Sequence, residues 1–324
     1  MAVAEPAVGE EVVVAAPVKK HNMATLYTHK SSNIRKTYLL FTLFFAVIIA
    51  IGFVFAQIYG NSNILYFAVV FSCFMSFISY WYSDKIVLSM AGAVPVDRNS
   101  NRELYNIIEN LAITAGLPVP KIYIVNEPAL NAFATGRNPQ NAVVCVTRGL
   151  LEKLNKTELE GVLAHELSHI GNRDILISTI AVVLVGFISI LADMFLRSMF
   201  WGGGRRRDSE GGGQAQAIMF LIGITLSILA PISATLIQLA ISRKREFLAD
   251  TSGALLTRYP EGLASALEKI GKDITPMRAA KNTTSHLWID DPFPEKQRTS
   301  WLHKLFMTHP PIEERIKILR GMSV

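Results

Sequence analysis

The chain has 324 residues, of which 50% are hydrophobic and only 18% charged, and its mean hydropathy is +0.31. These values exceed those of an ordinary water-soluble chain and indicate a membrane protein. The net charge of +6 comes without a basic stripe interleaved with aromatic residues, which argues against nucleic-acid binding. It fits an anionic partner or basic residues that flank membrane spans.

Residues 1–22 are rich in Ala, Val, Glu and Pro. Their short apolar run follows acidic rather than basic residues, which argues against a signal peptide. We expect a disordered cytosolic tail, with Met1 or Met23 as the start. The two cysteines, Cys73 and Cys145, stand in unlike apolar surroundings and are interpreted as packing residues.

Four apolar runs predict transmembrane helices because each has about the 20 residues that cross a bilayer; they are residues 38–57, 64–82, 175–196 and 217–241. Five basic residues precede the first run, and none lies between the first and the second. Nine lie between the second and the third, four between the third and the fourth, and fourteen after the fourth. The positive-inside bias therefore predicts that the segments 84–173 and 242–324 are cytoplasmic. The basic run at 205–207 opposes this orientation, because it would have to lie on the outer side of the membrane. Either runs three and four cross fully and carry it there, or they only dip into the membrane.

The segment 84–173 has a soluble character. "NRELYNIIENLAITAGL" carries apolar residues at helical spacing, and "PKIYIVNEP" and "NAVVCVTRGLL" each predict a short strand. We therefore expect a mainly α-helical multipass membrane protein of four transmembrane helices. Its cytosolic α+β domain would carry a small sheet.

The sequence "HELSH" begins at His165 and places His169 four residues later. Positions i and i+4 share one face of a helix, so both imidazoles can bind one zinc ion, with Glu166 beside it as general base. Thr157 and Glu160 predict a capping box, and we expect the helix to run straight towards the third apolar run. The alternative is a surface helix with two solvated histidines.

A catalytic zinc needs a third protein ligand, and "SRKREFLAD" offers Glu246. Asp250, one turn later, would accept the spare N–H of a ligating histidine. The simpler interpretation is a helix start anchored by basic residues, and the two are compatible. Two apolar runs separate Glu246 from the histidines. If both cross the membrane, Glu246 and the histidines lie on the same side of it and can bind one ion.

Together, "HELSHIGNRD", "SRKREFLAD", "NAFATG" and "THPPIEERI" resemble the HtpX-type membrane metalloproteases, gluzincins related to the CAAX prenyl proteases, from about Met23 to near the C-terminus. The resemblance implies an ATP-independent endopeptidase of the cell membrane whose cytosolic α+β catalytic domain is zincin-like. It would hold one zinc ion per subunit, and its site would face the cytoplasm. It would act on misfolded or damaged membrane proteins. The zinc ligands would be His165, His169 and Glu246, with Glu166 as the base.

The resemblance also places "NAFATG", with Asn131, Ala132 and Phe133, beside the substrate cleft. The strand 142–147, with Val143 and Val144, would be an edge that holds a substrate peptide; a loop and a core strand are the equal alternative. His309 and Arg315 are donors that could stabilise an oxyanion. A capping histidine before a Pro-Pro helix start is the other interpretation.

Two other functions stay open. A CAAX-type prenyl-peptide protease is disfavoured because four spans make too small a chamber. A non-catalytic, metal-stabilised membrane scaffold or chaperone is disfavoured because it would have no need of Glu166. The partners we expect are unfolded or membrane-associated protein substrates and the lipid bilayer; the sequence does not indicate an oligomeric state.

Overall fold

The computed structural model describes residues 26–202, 243–279, 284–290 and 310–322. In these ranges the chain is mainly helical; the α-helices are α1 Leu26–Tyr59, α2 Asn63–Ala91, α3 Arg102–Thr114, α4 Arg148–Lys153, α5 Lys156–Gly171, α6 Asp174–Gly202, α7 Arg243–Thr257, α8 Pro260–Lys272 and α9 Ile312–Arg320. The strands are β1 Ala93–Pro95, β2 Lys121–Val125, β3 Ala132–Gly136 and β4 Ala142–Thr147. The expected tail 1–22, the basic run 205–207 and the expected span 217–241 lie outside the described residues.

Helices α1 and α2 form a hairpin long and apolar enough to cross a membrane, over Ser31–Gln57 and Asn63–Ala91. The two helices contain the first two apolar runs, which were predicted to cross the membrane, and each helix is longer than its run. Phe44 of α1 and Ala68 of α2 pack with Leu184 of α6 in one buried apolar cluster. The two candidate membrane helices therefore share a core with α6.

Helix α6 is separated from α5 by a sharp bend. The axes of Lys156–Gly171 and Asp174–Ile188 differ by 84°, and Arg173 between them has a left-handed φ of 58°. The expectation that α5 runs straight towards the third apolar run is therefore wrong. Among the described residues there are two candidate spans, or three if this bent pair counts as one, so four spans stay a prediction.

The start of α5 also differs from the expectation. The capping box consists of Asn155 and Glu158, not Thr157 and Glu160. Asn155 Oδ1 accepts from the Glu158 amide at 3.0 Å, and Glu158 Oε2 accepts from the Asn155 amide at 2.9 Å. This pairing satisfies two backbone donors that the first helical turn leaves open.

The four strands form one sheet in the order β1-β2-β4-β3. Strands β2 and β4 are parallel, and the two outer pairs are antiparallel. Along β4, Val144 and Val146 pack in the core formed with α3, α5 and α8, whereas Val143 and Cys145 pack towards α2 and α6. The sheet is thus buried on both faces, which explains the continuous apolar run in β4.

Candidate metal centre

Helices α5 and α7 bring His165, His169 and Glu246 together, and one ligand atom from each lies within 4.8 Å of the others. The close approach of the helices depends on Gly253 of α7: a Cβ there would lie 2.9 Å from the backbone nitrogen of His165. His165 is 1% exposed and Glu246 6%. The cluster predicted from two distant motifs is therefore assembled, and it is largely shielded from water.

The spacing of the three side chains fits one metal ion. The two histidine Nε2 atoms are 3.1 Å apart, and oxygens of Glu246 lie 3.7 Å from His165 Nε2 and 3.6 Å from His169 Nε2. Tetrahedral zinc with bonds of about 2.0–2.2 Å requires neighbouring ligand atoms about 3.3–3.5 Å apart. Two imidazole nitrogens and a carboxylate oxygen are also the donor types that zinc prefers.

Asp250 supports His165 from the second turn of α7. Its Oδ1 lies 2.9 Å from His165 Nδ1, which leaves Nε2 as the acceptor nitrogen that faces the cluster. Arg315 of α9 donates from Nε and Nη2 to the two oxygens of Asp250 at 2.8 and 2.7 Å. Burial alone would raise the pKa of Asp250, but the charge of Arg315 and the bond with His165 lower it to about 2. Asp250 is therefore held as a carboxylate.

Asp174 supports His169 in the same way and was missed in the sequence. Its Oδ2 lies 3.0 Å from His169 Nδ1, and the carboxylate is 4% exposed. The available signal was its position five residues after His169. As the first residue of an apolar helix, however, it is indistinguishable from an ordinary acidic residue in a first helical turn. The two histidines thus have separate carboxylate partners.

Glu166 lies between the two histidines in sequence and is 2% exposed. Burial raises the pKa of its carboxyl, the imidazoles of His165 and His169 oppose that rise, and the nearby Glu246 carboxylate adds to it. A carboxylate with a raised pKa is a stronger proton acceptor. This is the property required of a general base.

The residues expected to contact substrate lie on or beside two different strands of the sheet. Ala132 and Phe133 lie on β3, one of the two edge strands, and Asn131 immediately precedes it. Val143 and Val144 lie on β4, which pairs with β2 on one side and β3 on the other. The expectation of a substrate-binding edge at β4 is therefore wrong, because both of its backbone edges are occupied.

Arg315 is not oriented as an oxyanion donor in this structure. Its side chain is fully buried, and beyond the two bonds to Asp250, its Nη1 donates to the carbonyl of Ile289 at 3.0 Å. All three guanidinium nitrogens are thus engaged in holding α9 and Ile289 against Asp250. His309, the other expected oxyanion donor, lies outside the described residues.

Two histidines and a carboxylate around one point, with a further buried glutamate beside them, define the class of site found in metallopeptidases. The model of peptidase family M48 matches residues 98–323 of the chain. The chain therefore belongs to peptidase family M48, and it is a metalloprotease of the HtpX type.

The curated relatives agree over nearly their whole length. The chain is 48% identical to a protease HtpX homolog of Caldanaerobacter subterraneus, covering 93% of this chain and 99% of the relative. It is 47% identical to one of Thermoanaerobacter pseudethanolicus, with the same coverage, and 44% identical to one of Tropheryma whipplei over 92% and 99%. The crystal structure of S. mikatae Ste24p aligns with a TM-score of 0.47 at 19% identity, covering 90% of this chain and 67% of that one.

Proposed function

We propose that this metalloprotease is a zinc endopeptidase of the cell membrane that hydrolyses peptide bonds, with one zinc ion per chain. The observation that carries the proposal is the 3.1–3.7 Å spacing of the ligand atoms of His165, His169 and Glu246. That spacing suits one tetrahedral ion with a fourth position left for water or substrate.

A zinc ion bound here would supply acidity to a water molecule and polarise the peptide carbonyl. The chain's own residues have distinct tasks. Asp250 and Asp174 hold the Nδ1 atoms of the two histidines, so both Nε2 lone pairs point to one place. Glu166 accepts the proton of the attacking water and returns it to the leaving amine.

Strand β3 supports an extended mode of substrate binding. It is an edge strand of the sheet, and a peptide can add to such an edge through backbone hydrogen bonds. At Ala132 the carbonyl already accepts from the amide of Ile289 at 3.0 Å. A substrate would therefore pair with β3 between Ala132 and Gly136, whose amide already donates to Thr179 Oγ1 at 3.4 Å. Phe133 lies in this stretch, and Asn131 lies at its start.

The residue order in α2 supports a site close to a membrane surface, and the positive-inside bias of the sequence predicts that this is the cytoplasmic surface. Tyr80, Trp81 and Tyr82 lie near the end of α2 and precede Asp84 and Lys85, an order typical of a membrane interface. The remaining turns of α2 then reach β1 of the sheet. The segments 84–173 and 242–324 would form the cytosolic catalytic part, and substrates would be unfolded or membrane-associated proteins.

The test compares wild type with Glu166→Gln, both purified in detergent, stripped of metal and resupplied with zinc. Cleavage of fluorescently labelled casein, an unfolded substrate, should be at least about 100-fold slower in the variant, as for loss of a general base. Glu160→Gln, on the same helix but partly exposed, is the matched control and should cleave as wild type does. Equal cleavage by wild type and Glu166→Gln would refute Glu166 as the base.

Metal analysis separates the hydrolase from a metal-stabilised scaffold. Wild type and Glu166→Gln should each retain one zinc per chain, whereas His165→Ala and Glu246→Ala should lose it. Zinc retained by Glu246→Ala at wild-type affinity would remove Glu246 from the ligand set. A scaffold would show zinc binding without any cleavage that depends on Glu166.

A further inference from the structure

Helix α1 contributes a polar residue to the surroundings of the metal centre. Asn33 is 3% exposed, although it belongs to a helix that is otherwise suited to the membrane. Its Nδ2 donates to Asp174 Oδ1 at 2.6 Å and to the carbonyl of Asn172 at 3.2 Å. Its Oδ1 accepts from Arg245 Nη1 at 3.3 Å. The amide is therefore bonded at both ends.

The chemistry of its partners determines which way this amide points. A carboxylate and a carbonyl accept only, and a guanidinium donates only. A flipped amide would set oxygen against oxygen at Asp174 and nitrogen against nitrogen at Arg245. Only one orientation satisfies all three contacts, so the position selects for a side chain with a donor and an acceptor.

Asn33 connects the C-terminal end of α5, through the carbonyl of Asn172, with α7, through Arg245. On one side, Asp174 lies 3.0 Å from His169 Nδ1. On the other, Arg245 directly precedes Glu246 and also lies 3.9 Å from Asp174. Asn33 is the third residue of the candidate span Ser31–Gln57 and precedes the apolar run that begins at Tyr38. The contact therefore lies at the edge of the membrane-spanning part of α1.

We propose that Asn33 is a positioning residue for the metal centre, acting on His169 through Asp174, and that the first membrane helix thereby helps to form the zinc site. This proposal rests on the proposed zinc function. Asn33 restrains the carboxylate that fixes the tautomer and ring orientation of His169. Without it, Asp174 can rotate towards Arg245, and His169 loses part of its restraint.

Thr37 offers a matched control on the same helix. It lies one turn after Asn33 and is 5% exposed, but its hydroxyl donates only to the carbonyl of Asn33 at 3.0 Å within α1. Replacing Thr37 by valine preserves its shape and leaves the contacts to Asp174 and Arg245 intact. Asn33→Leu likewise preserves size and removes both polar groups.

The experiment measures zinc affinity of the full chain in detergent by competition with a chromophoric chelator. Asn33→Leu should weaken zinc binding roughly tenfold, the low end of the range for residues that support metal ligands. Thr37→Val should bind as wild type does. Asp174→Ala should lose roughly 10- to 100-fold, and the double variant Asn33→Leu/Asp174→Ala should lose no more than Asp174→Ala alone.

Non-additivity is the decisive result, because a residue that acts through Asp174 has nothing left to act on once Asp174 is gone. Unchanged affinity in Asn33→Leu, or losses that simply add in the double variant, would overturn the proposal. Should Asn33→Leu not fold, Asn33→Ser replaces it, since a serine hydroxyl is too short to reach Asp174 and the same loss is expected. Wild type that binds no zinc would instead overturn the metal centre itself.

Discussion

Arg315 lies against Asp250 as a fully buried, two-pronged ion pair, with nitrogen–oxygen distances of 2.8 and 2.7 Å. Asp250 in turn contacts His165 Nδ1 at 2.9 Å. A residue of the last described helix, α9, is thus two contacts away from His165 on α5, one of the three proposed metal ligands. Helix α9 therefore packs into the fold through Arg315, and the same side chain holds the carboxylate that contacts the candidate metal centre.

We predict that Arg315→Leu costs about 3–5 kcal/mol in the free energy of unfolding, because it leaves the Asp250 carboxylate buried without its cation. Arg315→Lys should recover only part of this loss, since an ammonium cannot contact both oxygens in the same plane. Arg320→Leu, on the same helix, is the control: its ion pairs with Glu261 and Glu268 are about half exposed, and its loss should leave stability nearly unchanged. Denaturant unfolding of the metal-free protein measures all three.

We predict that Gly253→Ala weakens the metal centre although it adds only one methyl group. That group would lie 2.9 Å from the His165 nitrogen and 3.1 Å from its Cα, so α7 must move away from α5 and carry Glu246 with it. Overpacking of this kind costs about 1–3 kcal/mol, and zinc affinity should fall with stability. Gly186→Ala, where a Cβ meets nothing within 4 Å, should change neither. Wild-type affinity in Gly253→Ala would contradict the dependence on close helix packing.

The spacing of residues along the sequence predicted which side chains form the candidate metal centre better than it predicted which residues contact them. His165 and His169, like Glu246 and Asp250, are four apart on one helix, and the helical repeat alone places each pair on one face. Their meeting across α5 and α7 is a tertiary contact that the helical repeat does not set; the two apolar runs predicted between them were only compatible with it.

The contacts of Asp174 and Asn33 could not be predicted in this way. They depend on the 84° bend between α5 and α6 and on a side chain 141 residues away in sequence. The error at β4 has a similar cause. Strand order is set by the pairing of β4 with β2 on one side and β3 on the other. A continuous apolar run like that of β4 indicates burial of both faces and does not distinguish an inner strand from an edge strand.

We predict a pH-dependent contribution from Glu158, which caps α5 and accepts from Lys269 at 2.7 Å. Burial would raise the pKa of Glu158, but the bonds from Lys269, the Asn155 amide and Ser265 bring it below the ordinary value of 4.5. A carboxyl with a lowered folded-state pKa stabilises the fold above its unfolded pKa. That contribution is lost as pH falls through the folded-state value.

Glu158→Gln should therefore be less stable than wild type at pH 7 by about 1 kcal/mol, a modest figure because Lys269 is partly exposed and screened by water. The difference should shrink as the pH falls below 4.5. Unfolding of both proteins across this range measures it, with Glu160→Gln as the control that shows no such change. A difference that stays constant down to pH 3 would mean that the charge of Glu158 is not what stabilises the cap.

We predict that zinc stabilises the folded chain, because its ligands come from α5 and α7 and are assembled only in the folded state. At a free zinc concentration of 100 times its dissociation constant, binding adds about 2.7 kcal/mol to the free energy of unfolding. Thermal unfolding with zinc and with a chelator should show this shift in wild type and in Glu166→Gln, which retains all three ligands. His165→Ala should lose the shift together with the binding. A shift of equal size in His165→Ala would place the stabilising ion elsewhere, whereas its loss in Glu166→Gln would make Glu166 part of the binding site rather than a base beside it.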